Sequence, residues 1–286
     1  MIRASAPASS ANLGPGFDVL ALALDLRCHV EVAPAAAWAL RSGGEPADDD
    51  ALTLVRAAAE AAAPGAGPFA VDVGGNIPVA RGLGSSAALI VAVAGAVRAS
   101  VGRSTDTVEV GEVAASVEGH PDNVAAAAHG GAVMVSPTGT VRPVALHPSF
   151  VPVVAVPDER LSTRSARNAL GSTVELQVVV RTAARLAFLL EGLRSGDPDL
   201  LAEAAGDELH EARRSRLSPL TGALIEVARD AGAAHAAWSG AGPSVLALAT
   251  ADTRAAVAHA FEHRMAGTGV VLQPDIATTG LVVETG

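Results

Sequence analysis

Residues 77–97 read IPVARGLGSSAALIVAVAGAV. Two glycines and two serines crowd into positions 82–86, and from Ala87 to Val97 no residue is charged. A helix that is apolar on almost every face has no solvent side and must lie inside a protein. The stretch therefore predicts a buried helix near 87–99, entered through a tight glycine turn. An extended segment ending at Pro78, a turn, and a helix beginning around Ser85 would leave several backbone N–H groups aimed at one spot. The helix dipole adds positive potential there, which suits a phosphate. Gly82 and Gly84 let backbone approach closely, and Ser85 and Ser86 add hydroxyls for an oxygen or a metal ion. Glycine turns also precede buried helices where nothing binds. The stretch fits neither G-x-x-x-x-G-K-[ST] nor the dinucleotide fingerprint, so an ordinary turn and an anion cradle both stand on these residues alone.

The surrounding pattern is mixed. Strands are expected at 27–32 and 69–73 from alternation, and at 132–136, 151–156, 235–239, 244–249 and 277–284. Helices are expected at 51–63, from Ser104 or Thr105 to about Val117, from Pro121 to Gly130, and over 173–193, 197–209, 219–232 and 252–266. The segment 41–50 (RSGGEPADDD) reads as a polar loop. With 286 residues the chain can bury roughly 75% of its unfolded surface. It suits one large domain or two closely packed lobes, with a division expected near residue 150.

A net charge of −10 argues against nucleic acid as a partner, although a local basic pocket can still hold a small anion. No stretch reaches the roughly 18 strongly apolar residues of a membrane span, and MIRASAPASS lacks the apolar core of a signal peptide. A cytoplasmic protein without a membrane partner is expected. The single cysteine, Cys28, has no partner in the chain and reads as a half-buried strand residue in a reducing compartment.

PVARGLGSSAA (78–88) resembles the phosphate-binding loop of the GHMP kinases. Three further segments narrow the resemblance to the homoserine kinases within that superfamily: APASSANLGPGFDVLALAL (6–24), EGHPDNVAAAAHGG (118–131) and WSGAGPSVLAL (238–248). They occur in the family's order. The resemblance implies an α+β, two-lobed GHMP kinase fold, with an ATP-binding lobe over 1–150 and a C-terminal lobe over 151–286. It also implies ATP and Mg²⁺ as cofactors and a small amino alcohol, L-homoserine or one like it, as substrate. A kinase for another amino alcohol such as threonine, and a catalytically silent ligand-binding member, are the alternatives. A homodimer is compatible with the resemblance, which does not specify the oligomeric state.

By resemblance, Pro78, Val79, Ala80, Arg81, Gly82, Leu83, Gly84, Ser85, Ser86, Ala87 and Ala88 form the ATP-binding segment, and Ser86 with Glu118 holds Mg²⁺. A hydroxyl and a carboxylate are hard oxygen donors of the kind that ion takes. The acceptor site is implied to contain Asn12, Asp18, His120, Thr163, Arg167, Arg214 and Gly240, with Asp18 facing an ammonium and the two arginines a carboxylate. Asn123 is expected to orient the acceptor hydroxyl, with Asp122 and Arg167 in support. Taken singly, these residues have plainer readings: Asp18 could cap a helix beginning at Val19, Glu118 could be a solvated helix end, and Arg214 a surface charge.

The chain departs from the family pattern at a few positions. Thr53 stands where an asparagine usually helps to hold the adenine end of the nucleotide. Ala126 replaces a frequent proline, Leu170-Gly171 replaces Leu-Pro, and Ala212-Arg213 replaces Pro-Tyr.

Overall fold

The computed structural model describes residues 1–285. The first part of the chain runs β1 (Ile2–Ala11), β2 (Leu20–Pro34), the short β3 (Ala39–Ser42) and β4 (Glu45–Pro46), α1 (Asp49–Ala62) and β5 (Phe69–Gly75). It continues through α2 (Ser85–Ser100), α3 (Thr107–Glu118), α4 (Pro121–His129), β6 (Ala132–Val135) and β7 (Val141–Val144). The second part runs β8 (Val151–Pro157), α5 (Thr163–Asn168), α6 (Leu176–Ser195), α7 (Pro198–Glu203), α8 (Glu211–Arg214) and α9 (Pro219–Asp230). It ends with β9 (His235–Trp238), β10 (Val245–Ala249), α10 (Arg254–Met265), β11 (Gly269–Leu272) and β12 (Val282–Thr285).

The strands form two sheets. One is eight-stranded, ordered β12-β1-β2-β5-β3-β4, with β6 joined to β2 and β7 to β6; the other is four-stranded, ordered β11-β8-β10-β9. Among the described residues only the β3–β5 pairing is parallel. Sheet membership changes between β7 and β8, but β12 returns to pair with β1.

Helix α2 is buried along nearly all its length, as an all-round apolar helix must be. It lies with α1, α3 and α4 over β1, β2 and β5, in a core made largely of alanine and valine. From Ala4 onward strand β1 is built from alanine, serine and proline, and from Ala6 to Ala11 every residue is buried. Side chains that small allow helices to approach the sheet closely. On the far side, Leu20, Leu22 and Leu24 of β2 meet Val154 and Val156 of β8, Leu246 and Leu248 of β10, and Leu189 and Leu193 of α6. Helices α9 and α10 cover the outer face of the second sheet.

Several sequence expectations need correction. The polar loop 41–50 contains the β3–β4 hairpin. The cap of α3 is Asp106, whose Oδ1 accepts from the N–H of Val108 at 2.9 Å, rather than Ser104 or Thr105. Helix α7 stops at Glu203, because Gly206 takes a φ of 81° and Asp207 Oδ2 accepts from the N–H groups of His210 and Glu211, opening α8. The final strand starts at Val282 rather than 277. No helix begins at Val19, where the chain enters β2. Cys28 is buried in β2, and burial pushes its thiol up to about 12.

Candidate active site

A cavity of about 290 Å³ opens where the loops of both sheets meet. The β1–β2 connection contributes Asn12, Phe17 and Asp18; the β5–α2 loop contributes Val79, Ala80 and Gly82–Ser86. Glu118 ends α3, and His120, Asp122 and Asn123 open α4. Thr163 and Arg167 come from α5, Arg214 from α8 and Gly240 from the β9–β10 turn. Residues up to 228 positions apart in sequence, as Asn12 and Gly240 are, thus face one space.

The glycine-serine loop is shaped by its neighbours. Gly84, with φ 63°, is the N-cap of α2 and makes no side-chain cap bond, so N–H groups of the first turn are left for a ligand. Gly82, with φ 75°, presses against the β9–β10 turn, where its carbonyl accepts from Ser239 Oγ at 2.7 Å. Ser9 of β1 holds the other side: its N–H donates to the Leu83 carbonyl at 3.1 Å, and its Oγ donates to Asn123 Oδ1 at 2.8 Å. Asn123 and the loop are therefore fixed by one buried serine. Ser86 Oγ donates to Glu118 Oε2 at 2.7 Å. Burial raises the Glu118 carboxyl above its ordinary range, and the Ser86 hydrogen bond opposes that rise.

Not all of 78–88 faces the cavity. Ala87 and Ala88 are fully buried in the core under α2, and Pro78 does not line the space. Arg81 turns outward, with Nε on the Pro157 carbonyl at 2.8 Å and Nη2 on that of Asp158 at 2.7 Å. It ties the loop to the end of β8.

The same cavity also holds a charged cluster. Asn12, Leu13 and Asp18 all have positive φ, at 75°, 51° and 56°, a conformation non-glycine residues adopt only when their surroundings impose it. Asn12 stabilises the turn by donating to the Gly240 carbonyl at 2.9 Å and accepting from the Asp18 N–H at 3.2 Å. Two buried histidines hold it from behind: His235 Nε2 meets the Leu13 carbonyl at 3.0 Å and His210 Nε2 that of Gly14 at 2.8 Å. Burial lowers both imidazoles to about 4, so near neutral pH both are uncharged.

Arg167 Nη2 donates to Asp18 Oδ1 at 2.6 Å. Arg214 is almost wholly buried and donates to the carbonyls of Ala166 and Gly240 at 3.3 and 3.1 Å. Burial, and then the Arg167 charge, lower its guanidinium to about 10, so it stays cationic at neutral pH. Both guanidinium carbons stand 5.4 Å from the centre of the Phe17 ring. Burial likewise raises Asp122 to about 6, against the bond its Oδ1 accepts from the Asn123 N–H at 2.8 Å. Burial and the Arg167 charge lower His120.

Ser9, Phe17, His210 and His235 did not stand out in the sequence. The only available signal was that Phe17 and Ser9 fall inside the segment 6–24. Among the departures from the family pattern, Thr53 is exposed on α1, bonds the Asp49 carbonyl at 2.8 Å and does not line the cavity. Two other departures meet. Arg213 donates to the carbonyls of Leu170 and Thr173, and Gly171 takes a φ of 71°, which proline cannot adopt. The two replaced pairs thus lie in contact in this chain.

An uncapped helix N-terminus and a carboxylate-and-guanidinium cluster share one cleft between two sheets, and the family models give that cleft its class: GHMP kinases N terminal domain matches residues 51–131, and GHMP kinases C terminal matches 189–267. A homoserine kinase of Desulfitobacterium hafniense is 35% identical over 280 residues, with 94% of each chain covered. One of Moorella thermoacetica is 38% identical over 252 residues, with 85% of each covered. The crystal structure of homoserine kinase from Cytophaga hutchinsonii superposes with a TM-score of 0.88 at 26% identity, covering 99% of this chain and 97% of the other. The chain belongs to the GHMP kinase family, among its homoserine kinases. Among the described residues, no helix is long and apolar enough to cross a membrane.

Proposed function

We propose that this chain transfers the γ-phosphoryl group of ATP to the side-chain hydroxyl of L-homoserine, giving O-phospho-L-homoserine and ADP, a step of threonine biosynthesis. The observation that carries the reading is the shared cavity: the uncapped start of α2 and the Asp18–Arg167–Arg214 cluster line the same space, as does Asn123. The name borne by relatives at 34–38% identity over most of the chain supports the same acceptor.

In this reading the first turn of α2, with Gly82–Ser86, receives the nucleotide phosphates. The Asp18–Arg167 ion pair is a mould for an amino acid. A zwitterion brings an ammonium for Asp18 and a carboxylate for Arg167 and Arg214, so each protein charge keeps an opposite partner when the pair opens. Asn123 Oδ1 is engaged by Ser9 and one Nδ2 hydrogen leans on Asp122 Oδ1 at 3.4 Å, which leaves the other Nδ2 hydrogen to orient the acceptor oxygen. Phosphoryl transfer leaves the protein chiefly positioning and charge neutralisation to supply, so an orienting amide can serve where a general base is absent. Asp122 holds the Asn123 backbone and is a support in this scheme.

The donor set fits Mg²⁺. Ser86 Oγ and Glu118 Oε2 are hard oxygens that already meet, and the ion commonly takes one or two protein oxygens with phosphates and water completing its shell. Among the described residues no cluster of three or more His, Cys, Asp or Glu forms an all-protein site, in keeping with an ion shared with substrate. When bound, it would neutralise charge on the phosphates.

The test is ADP formation by the purified chain with ATP and Mg²⁺ across homoserine, threonine, serine and mevalonate. Homoserine should give the highest kcat/KM. Release no higher than the no-acceptor background with homoserine, alongside turnover of another alcohol, would overturn the assignment.

A further inference from the structure

We propose that Phe17 is a positioning residue, a π platform that holds the Arg167 and Arg214 guanidiniums side by side and so sets affinity for the acceptor carboxylate. The inference rests on the proposed reading of those arginines as the carboxylate site.

Two cations aimed at one small anion repel each other before the anion arrives, and something must keep them together. Arg214 is fixed by hydrogen bonds: Nε to the Ala166 carbonyl, and Nη1 to the Gly240 carbonyl and His210 Nδ1 at 3.2 Å. Arg167 is not. Among the described residues its one hydrogen-bonded partner is Asp18 and its buried Nε has none, and its side chain is 35% exposed. Once an ammonium competes for Asp18, Arg167 keeps its contact with the Phe17 ring, 5.4 Å from its guanidinium carbon. Arg214 stands at the same distance from that ring. A benzene face carries negative quadrupole potential and attracts a guanidinium within about 6 Å, so one ring holds both cations without neutralising either. A carboxylate in their place would consume the positive charge the acceptor needs.

The ring is itself held. It stacks on His210 at 5.0 Å with an interplanar angle of 27°, and His210 Nε2 is tied to the Gly14 carbonyl, in the same turn that carries Phe17. The segment Gly14-Pro15-Gly16-Phe17-Asp18 thereby supplies an anion for the ammonium and a π face for the cations.

The test compares Phe17→Leu, which keeps much of the apolar bulk and removes the π face, with Phe17→Tyr, which keeps both. Phe17→Leu should raise KM and the calorimetric Kd for L-homoserine roughly five- to thirtyfold, with kcat and the KM for ATP within about twofold of the parent. Phe17→Tyr should stay within about threefold on every measure, as a retained ring predicts. In an Arg167→Gln background the leucine penalty should largely disappear, because the cation most dependent on the ring is gone. An unchanged KM in Phe17→Leu, an equal loss in Phe17→Tyr, or a full penalty in the Arg167→Gln background would each overturn the platform. The functional reading fails separately: if the parent binds L-homoserine but forms no ADP with it, that reading falls and the platform is judged from Kd alone. If L-homoserine does not bind at all, both fall.

Discussion

Replacing Gly82 by alanine puts the fit between the two halves of the cleft to a direct test. Gly82 has a φ of +75°, where an L side chain costs about 1–2 kcal/mol. The added Cβ would also stand 2.2 Å from the Ser239 carbonyl oxygen and 2.8 and 2.9 Å from the backbone N and O of Gly242. All three are backbone atoms, so no side chain can rotate out of the way. Reaching ordinary contact at 3.4 Å requires the two loops to part by about 1 Å. A displacement of about 1 Å in a positioning element can cost about 10²-fold in rate. Gly102→Ala is the internal control, because Gly102 has a φ of +69° and nothing within 4 Å of its added Cβ. That variant should lose about 2–4 °C in Tm and keep the parent kinetics. Gly82→Ala should lose more in Tm and about 100-fold in kcat/KM with L-homoserine, measured by coupled ADP release beside a thermal melt. A Gly82→Ala enzyme within about threefold of its parent in kcat/KM would refute the claim that this contact sets the loop.

Three other outcomes follow from the site. Arg167→Ala and Arg214→Ala should each raise KM for the amino acid about 10- to 150-fold, since each removes a charge-assisted partner of about 1.5–3 kcal/mol; wild-type acceptor kinetics in both would relocate the carboxylate site. Asn123→Ala should lower kcat at least about tenfold while the Kd of a non-hydrolysable ATP analogue changes little, and unchanged turnover would remove Asn123 from the mechanism. His235 is lowered from 6.5 to about 4 by burial, so its contribution to stability is complete above pH 6.5 and disappears as pH falls toward 4, by on the order of 3 kcal/mol. Asp122 and Glu211, raised to about 6 and about 7 by burial, act in the opposite sense, because the folded state takes up their protons first as pH falls. The measurement is therefore the difference between denaturant melts of the parent and His235→Gln from pH 7 to 4; a difference that does not change with pH would show that His235 does not titrate as its burial implies.

The glycine-serine loop and α2 were legible because both signals are dense and local: glycines and serines within five positions, then a run with no polar face. β1 was not. Its alanines and serines are buried on both faces, so the alternation that marks a half-exposed strand is missing. The helical reading of 197–209 failed where Gly206 and the Asp207 cap interrupt an apolar period that otherwise continues. At the site, the segments that resemble the family contain Asp18 and Asn123, and the resemblance also implied Arg167 and Arg214; all four line one cavity. The same segments could not separate Arg81, which bonds two carbonyls across the cleft, from the neighbours that face it. Nor could they single out Ser9 or Phe17, whose roles arise from contacts with residues more than a hundred positions away.

The contact between Gly82 and the β9–β10 turn also bears on assembly. The loop that would receive phosphate is encoded before residue 90, yet one of its walls is Ser239, Gly240 and Gly242. A fragment ending before residue 238 would contain every glycine and serine of the motif and still lack the surface that gives them their shape. Nucleotide affinity in truncated or newly made chains should thus arise late and abruptly, when the stretch from residue 238 onward folds back, and it could serve as a reporter of completed folding.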